Sequence, residues 1–127
     1  SSDLLTSATG RVFLAWGPPR AIAPVRDTQL RRLARQPNLL LDIEPSKSSV
    51  AELAERTRAR GFASIEGRFI PGLVAAAAPI LDWQSEAQAA VTLVGTDPAA
   101  VAEAAAQTDL LLAYCAAKSV VRENAKV

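Results

Sequence analysis

The segment Leu73–Leu81 limits the possible folds of this chain more than any other feature. It reads LVAAAAPIL, has no polar side chain, and is too short to cross a bilayer as a helix. Because successive side chains of a strand point to opposite faces, a strand of this composition must be covered on both faces. Its alanines are poor strand formers, so a packed helix, another subunit or a ligand must approach it closely.

A hairpin is predicted around this segment. The strand extends over Leu73–Asp82, and a second apolar run, Ala87–Val94, follows after a mostly polar connection. Two such runs joined by about four residues are typical of an antiparallel hairpin. Phe62–Glu66 predicts a third, shorter strand, which the turn residues Gly67–Gly72 connect to the hairpin.

Helical segments precede the strands. Ser and Thr residues before an apolar stretch predict a helix over Thr6–Trp16, and Gly17–Pro19 ends it. Pro19–Val25 has room for one or two helical turns, with Pro24 as a break or as the first turn of the next element. Asp27–Arg35 has the apolar spacing of an amphipathic helix.

The remaining segments complete an α+β pattern. Leu39–Ile43 is ambiguous between a short strand and a buried connection. Ser49–Glu52 has the spacing of a capping box, and the helix that it opens ends at Gly61. Thr96–Pro98 opens a last helix over Ala99–Lys118. The order of these elements predicts an α+β fold with an antiparallel sheet covered by helices.

The residue types exclude most catalytic and metal sites. The sequence has no histidine and a single cysteine, Cys115. This excludes Ser-His-Asp and Cys-His arrangements, His-containing metal sites, CxxC zinc sites and disulfides within the chain. We therefore expect one non-enzymatic domain without a metal or a cofactor. The net charge of +1 also argues against a free-standing nucleic-acid-binding protein.

Three features that suggest chemistry have simpler structural explanations. Cys115 lies in an apolar run and is predicted to be a small buried side chain. Nothing in the spacing of Glu66 and Asp82 pairs them, so we expect both at solvated strand ends. The arginine-rich ranges 31–35 and 56–60 lack interleaved aromatic residues and occur in a chain of near-zero net charge. They are typical of solvent-exposed helix faces.

Three motifs together resemble the IclR family of transcriptional regulators. Residues 7–15, SATGRVFLA, resemble the start of a helix in that family. A second motif is matched by GFA at 61–63, a glycine at position 72 and AAAPILD at 76–82, and a third by AAVTLVG at 89–95. The order and separation of the motifs also agree with the family, and the resemblance covers nearly the whole chain.

The resemblance implies a regulator with an N-terminal winged helix-turn-helix that reads DNA and a C-terminal effector-binding domain of GAF-like shape. Residues 1–127 would be a single domain, the later part of this effector-binding domain, without its leading helix and first strands. The sequence does not begin with Met and has no signal-peptide pattern, so we expect a fragment or processed chain of a cytoplasmic protein. The implied partners are a small organic acid effector, further copies in a dimer or tetramer, and DNA through the absent N-terminal module; no membrane contact is expected.

The resemblance also implies a ligand site between the start of the first helix and the last strands. Carried over position by position, its residues are Ala8, Thr9, Gly10, Ile65, Leu73, Ala75, Thr92 and Val94. Unpaired backbone N–H groups at the start of a helix suit a carboxylate, because they carry the positive end of the helix dipole. This electrostatic argument and the resemblance both indicate residues 8–10.

Four of these positions depart from family members that bind small keto acids. Those members have an acidic residue, a cysteine and two serines where this chain has Ile65, Ala75, Thr92 and Val94. Either the ligand is less polar, or the pocket no longer binds one. Two functions therefore stay open. The chain is a sensing domain that couples ligand binding to oligomeric arrangement and operator affinity, or it is an oligomerisation scaffold with a vestigial, non-binding pocket.

Overall fold

The computed structural model describes residues 4–36, 42–66, 72–102 and 105–119. These residues form an α+β fold, as predicted, with a three-stranded antiparallel sheet covered by helices. In chain order the elements are α1 (Ala8–Trp16), α2 (Pro19–Arg35), α3 (Lys47–Arg60), β1 (Ala63–Glu66), β2 (Val74–Leu81), β3 (Ala87–Gly95), a 3₁₀-helix (Pro98–Val101) and α4 (Ala106–Lys118).

β2 is the central strand of the sheet, and β1 and β3 pair with it on either side. Ala75 lies opposite Ile65 of β1 and Val94 of β3, and Ala77 lies opposite Thr92. Directly opposite residues in antiparallel strands point to the same face. The register therefore places Ile65, Ala75, Thr92 and Val94 on one face of the sheet.

The predicted hairpin is confirmed. The Asp82 carboxylate accepts hydrogen bonds from the backbone N–H groups of Gln84 and Glu86, at 2.8 and 3.0 Å, and so closes the turn between β2 and β3. The third strand is also confirmed, starting one residue later than predicted.

Helices cover both faces of β2, as its composition predicts. On one face Ala77 belongs to a core cluster with Ala8 and Val12 of α1. On the other face Ala76 belongs to a cluster with Leu111 of α4. Both alanines are fully buried. Small side chains at these positions let the two helices approach the strand closely, and this packing offsets the low strand propensity of alanine.

A second core lies between α1, α2 and α3. It contains Leu14 of α1, Leu33 of α2 and Val50 of α3, together with Leu5 from the segment before α1. Since Ala8 and Val12 of the same helix face the sheet, α1 is held between the sheet and the other two helices. The position of its first turn is therefore fixed by contacts on both sides.

The expected break at Pro24 is wrong, because α2 is continuous over Pro19–Arg35. Pro24 lies in the second turn, where its missing N–H removes one helical hydrogen bond, and its ring is exposed. Leu30 and Leu33 of the same helix are buried in the core with α3. This burial offsets the lost hydrogen bond.

Two predicted helix boundaries are also wrong. The cap of α3 is Ser46, whose hydroxyl accepts the N–H of Ser49 at 3.2 Å, so the helix begins before the expected capping box. Asp97 does cap a helix, but a 3₁₀-helix that ends at Val101, and α4 begins at Ala106. Ala102 and Ala105 are extended, because burial of Val101 in the sheet core redirects the chain in spite of its helix propensity.

Two predicted connections lie largely outside the described residues. Positions 39–41 of the ambiguous segment and positions 67–71 of the predicted turn are not described. Ile43, at the end of the first segment, packs partly buried against the core of α1, α2 and α3 and is not in a strand. Gly61 ends α3 in the left-handed conformation at φ 89°, as predicted for its cap.

Candidate functional site

The first turn of α1 carries the hydrogen-bond donors of the candidate site. Ser7 caps the helix, and its hydroxyl accepts the backbone N–H of Gly10 at 2.9 Å. The Ser7 carbonyl accepts the N–H of Arg11 at 3.0 Å. Within the described part of the chain, the N–H groups of Ala8 and Thr9 have no acceptor. These two donors point out of the positive end of the helix dipole and suit an anion.

The expectation that the Gly10 N–H is unpaired is therefore wrong. Ser7 belongs to the same sequence motif, and its hydroxyl reaches Gly10 because a cap side chain accepts from the second or third residue of the helix. Among the described residues, the number of helix-start donors without an acceptor falls from three to two, at Ala8 and Thr9. Two donors still match the two oxygens of a carboxylate.

Two hydroxyl groups join α1 to β3 at this point. The Oγ1 atoms of Thr9 and Thr92 lie 2.6 Å apart and share a hydrogen bond, although the residues are 83 positions apart in the sequence. Thr9 is exposed and Thr92 is half-buried. Each hydroxyl can donate or accept, so the pair is able to turn toward a polar group placed beside it.

Apolar side chains lie on the same face of the sheet as the hydroxyl pair. Ala8 is buried and packs with Ile65 and Ala75 in the cluster between α1 and the sheet. Val94, opposite Ala75, is 63% exposed, and Leu73 lies half-buried just before β2. The structure thus brings six predicted residues to one face: Ala8, Thr9, Ile65, Ala75, Thr92 and Val94.

A cavity of about 580 Å³ lies beside β1 and shares only Ile65 with the predicted residues. Its walls also include Arg60 and Ser64, which are joined by a hydrogen bond of 3.3 Å, and Val101 of the 3₁₀-helix. The Arg60 guanidinium lies 4.3 Å from the centre of the Phe62 ring. This cavity is therefore a separate concave surface from the first turn of α1.

Arg11 and Asp42 form an ion pair next to the first turn of α1. The Arg11 Nη atoms lie 2.6 and 2.8 Å from the two carboxylate oxygens of Asp42. The Arg11 Nε donates to the Leu5 carbonyl at 2.8 Å. Sequence reasoning did not find this pair, because the partners are 31 positions apart and Arg11 appears only as one letter of a motif.

The three features with structural explanations behave as predicted. Cys115 is buried, its Sγ lies 3.6 Å from the Ala78 carbonyl, and burial raises the pKa of its thiol, against a smaller opposite effect of a backbone hydrogen bond at Val91. Glu66 and Asp82 lie at opposite ends of β2. The arginines of ranges 31–35 and 56–60 are exposed on helices.

The described residues contain no group of three His, Cys, Asp or Glu side chains that could hold a metal ion. None of the helices they form is long and apolar enough to cross a membrane.

The sequence matches a family model over residues 1–120, and that model describes the C-terminal part of the bacterial transcriptional regulator IclR. The chain belongs to the IclR family. This confirms the resemblance of the three motifs and identifies the region as an IclR C-terminal domain. The family comprises transcriptional regulators rather than a class of enzymes.

Solved structures of IclR-type regulators share the fold. HmgR of Pseudomonas aeruginosa is 34% identical, with a TM-score of 0.71 over 93% of this chain and 44% of its own. An IclR transcriptional regulator of Alicyclobacillus acidocaldarius is 22% identical, with a TM-score of 0.59 over 91% of this chain and 44% of its own. The repressor BlcR of Agobacterium tumefaciens is 23% identical, with a TM-score of 0.52 over 91% of this chain and 46% of its own.

The chain thus spans less than half the length of these structures. No curated protein matches the sequence. The fold of an IclR C-terminal domain is therefore established for this chain, and the ligand and the partners of the whole regulator are matters for proposal.

Proposed function

We propose that this chain senses a small organic acid for a DNA-binding transcriptional regulator. The free N–H groups of Ala8 and Thr9, next to the Thr9–Thr92 hydroxyl pair, are the observation that supports this function. Ligand binding there would change how α1 packs on the sheet, and with it the oligomeric arrangement and operator affinity of the regulator. DNA contact would be made by an N-terminal module outside this sequence.

The chemistry of the site favours a carboxylate with an apolar or aromatic body. The carboxylate accepts hydrogen bonds from the backbone N–H groups of Ala8 and Thr9, and one of its oxygens also accepts a hydrogen bond from a hydroxyl of the Thr9–Thr92 pair. The predicted residues on the opposite side, namely Ile65, Leu73, Ala75 and Val94, offer no side-chain hydrogen bond. A second polar group buried against them would stay unpaired, at a cost of about 1–3 kcal/mol. This cost corresponds to about fivefold to more than a hundredfold in affinity.

The test is a comparison of phenylacetate with glyoxylate and pyruvate by calorimetry and thermal unfolding. Phenylacetate should bind at least about fivefold more tightly than either keto acid. At a hundredfold excess over its Kd it should stabilise the domain by about 2.7 kcal/mol. Tight glyoxylate binding without any response to phenylacetate would contradict the proposed selectivity.

A matched pair of variants locates the site. Thr92→Val keeps the shape of the side chain and removes its hydroxyl, so it should weaken phenylacetate binding. Thr96→Val makes the same change at an exposed residue just after β3 and should leave the affinity unchanged. Equal affinities of the two variants would place any binding elsewhere on the molecule.

The alternative function, an oligomerisation scaffold with a vestigial pocket, rests on exposed apolar side chains. Leu110 and Tyr114 of α4 are 70% and 52% exposed, although large apolar side chains are usually buried. Leu93 and Val94 are also exposed on β3, whose outer edge has no partner strand within the described residues. Such a surface favours association with further copies of the chain.

Sedimentation velocity tests this association. Leu110→Asp should shift the distribution toward a smaller species, because it places a charge on the exposed face of α4. Val25→Asp is the control, since Val25 is also an exposed apolar helix residue, on α2. Association of the unchanged chain without binding of any organic acid would favour the scaffold over the sensor.

A further inference from the structure

We propose that the Arg11–Asp42 ion pair positions the first turn of α1 for ligand binding, an inference that rests on the proposed sensing function. Arg11 is 3% exposed, so its guanidinium lies in the interior. The sensing chemistry itself uses neither Arg11 nor Asp42. Their role follows from the segments of the chain that the Arg11 guanidinium connects.

The Arg11 side chain joins three separate parts of the chain. Its Nε donates to the carbonyl of Leu5, which belongs to the segment before α1. Its two Nη atoms contact both oxygens of Asp42, which lies between α2 and α3. Because the guanidinium is planar and rigid, these bonds fix the direction of each partner as well as its distance.

The contact with Leu5 determines where the helix donors point. Leu5 lies two residues before Ser7, the residue that caps α1. With the Leu5 carbonyl held, the path of the chain into Ser7 is set, and so are the peptide planes that carry the Ala8 and Thr9 N–H groups. Asp42 is needed for this, because a buried guanidinium without its carboxylate is an uncompensated and strongly destabilising charge. Movement of the guanidinium toward solvent would relieve that charge and would break its bond to the Leu5 carbonyl.

The other ion pairs in the described ranges lack this geometry. Arg26 and Asp27 are neighbours on α2, joined by one contact of 3.1 Å. Arg56 and Glu52 lie 3.8 Å apart on the exposed surface of α3. The Arg11–Asp42 pair combines two short contacts, a buried guanidinium and a bond to the segment before α1. This combination distinguishes a positioning role from general surface stabilisation.

Hydrogen exchange of the ligand-free chain tests the positioning role directly. The double variant R11M/D42N removes both charges together, which avoids leaving an unpaired buried charge. We expect the amides of Gly10 and Val12, in the first turns of α1, to exchange about tenfold faster or more than in the unchanged chain. The amides of Ala77 and Ala78 in β2 should change less than about twofold.

Two results would overturn the proposal in this experiment. Unchanged exchange at Gly10 and Val12 would show that the first turn does not depend on the pair. Equal acceleration in α1 and β2 would show a general loss of stability instead of local positioning. The control Asp27→Asn removes the acid of the half-exposed Arg26–Asp27 pair and should leave α1 unaffected.

Phenylacetate binding, measured well below the unfolding temperature, completes the test. R11M/D42N should weaken it about five- to tenfold, and Asp27→Asn should leave it unchanged. An unchanged affinity in the double variant would overturn the positioning role even if exchange increases. If the unchanged chain binds no organic acid, the sensing function fails, and the exchange experiment still decides whether the ion pair positions α1.

Discussion

Substitution of Ala77 by Leu tests the central feature of this fold, the alanine strand between two helices. Ala77 is fully buried at the middle of β2 and packs against Ala8 and Val12 of α1. A leucine adds three carbon atoms on the side of α1. If space were available, their burial would stabilise the domain by about 2.4 kcal/mol, at about 0.8 kcal/mol for each carbon.

The structure predicts the opposite sign. Burial of Ala8, Val12 and Ala77 together leaves no room for a larger side chain, so α1 must move outward or the leucine must leave its preferred rotamer. Overpacking of this kind costs about 1–3 kcal/mol. At about 4 °C for each kcal/mol in a domain of this size, the melting temperature should fall by about 4–12 °C.

Chemical and thermal unfolding followed by circular dichroism measures this effect. Ala76→Leu, on the face covered by α4, should destabilise the domain by a similar amount, since both faces of β2 are closed. Ala113→Leu makes the same change on the exposed face of α4 and should stay within about 0.5 kcal/mol of the unchanged chain. A stabilising Ala77→Leu would refute the close packing of α1 on the sheet.

Three further predictions concern other parts of the chain. Gly61→Ala should lower the free energy of unfolding by about 1–2 kcal/mol, because φ is 89° there, while Gly95→Ala, where an added Cβ meets nothing within 4 Å, should be nearly neutral. Burial raises the pKa of the Cys115 thiol, so the folded state holds the thiol proton more tightly than the unfolded state does. The resulting contribution to the free energy of unfolding is complete below the pKa of the unfolded state and is lost as the pH rises through the higher pKa of the folded state. Comparison of unfolding at pH 7 and at about pH 9.5 should show this loss in the unchanged chain and not in Cys115→Ala. Finally, gel-shift titration of this chain alone should show no salt-dependent binding to duplex DNA, since its 14 basic residues are balanced by 13 acidic ones.

Local sequence patterns determined the elements whose stability depends on near neighbours. The alanine strand and its hairpin follow from uninterrupted apolar runs with a polar connection, and the structure has both. The buried face of α3, with Val50, Leu53 and Thr57, follows from helical spacing, and the end of that helix follows from Gly61. Capping by Asp97 is also local, although the helix that it opens is short.

Element boundaries that depend on packing could not be predicted from local sequence patterns. Helix propensity favoured one helix through the alanines after Asp97, and burial of Val101 against the sheet broke it. A proline inside α2 argued for a break, and burial of Leu30 and Leu33 against α3 kept the helix continuous. In both cases contacts with distant residues outweighed a local preference, which for the proline inside α2 is about 3 kcal/mol.

The sequence by itself determined the α+β class and the two-sided burial of β2, and the family resemblance supplied the predicted residues of the candidate site. Only the tertiary structure decided that the Thr9 hydroxyl meets that of Thr92 across 83 positions and that Asp42 pairs with Arg11 across 31 positions. Periodicity and capping depend on residues that are close together in the sequence, so local patterns predict them. A hydrogen bond between distant side chains depends on how whole elements pack, and no local pattern predicts it.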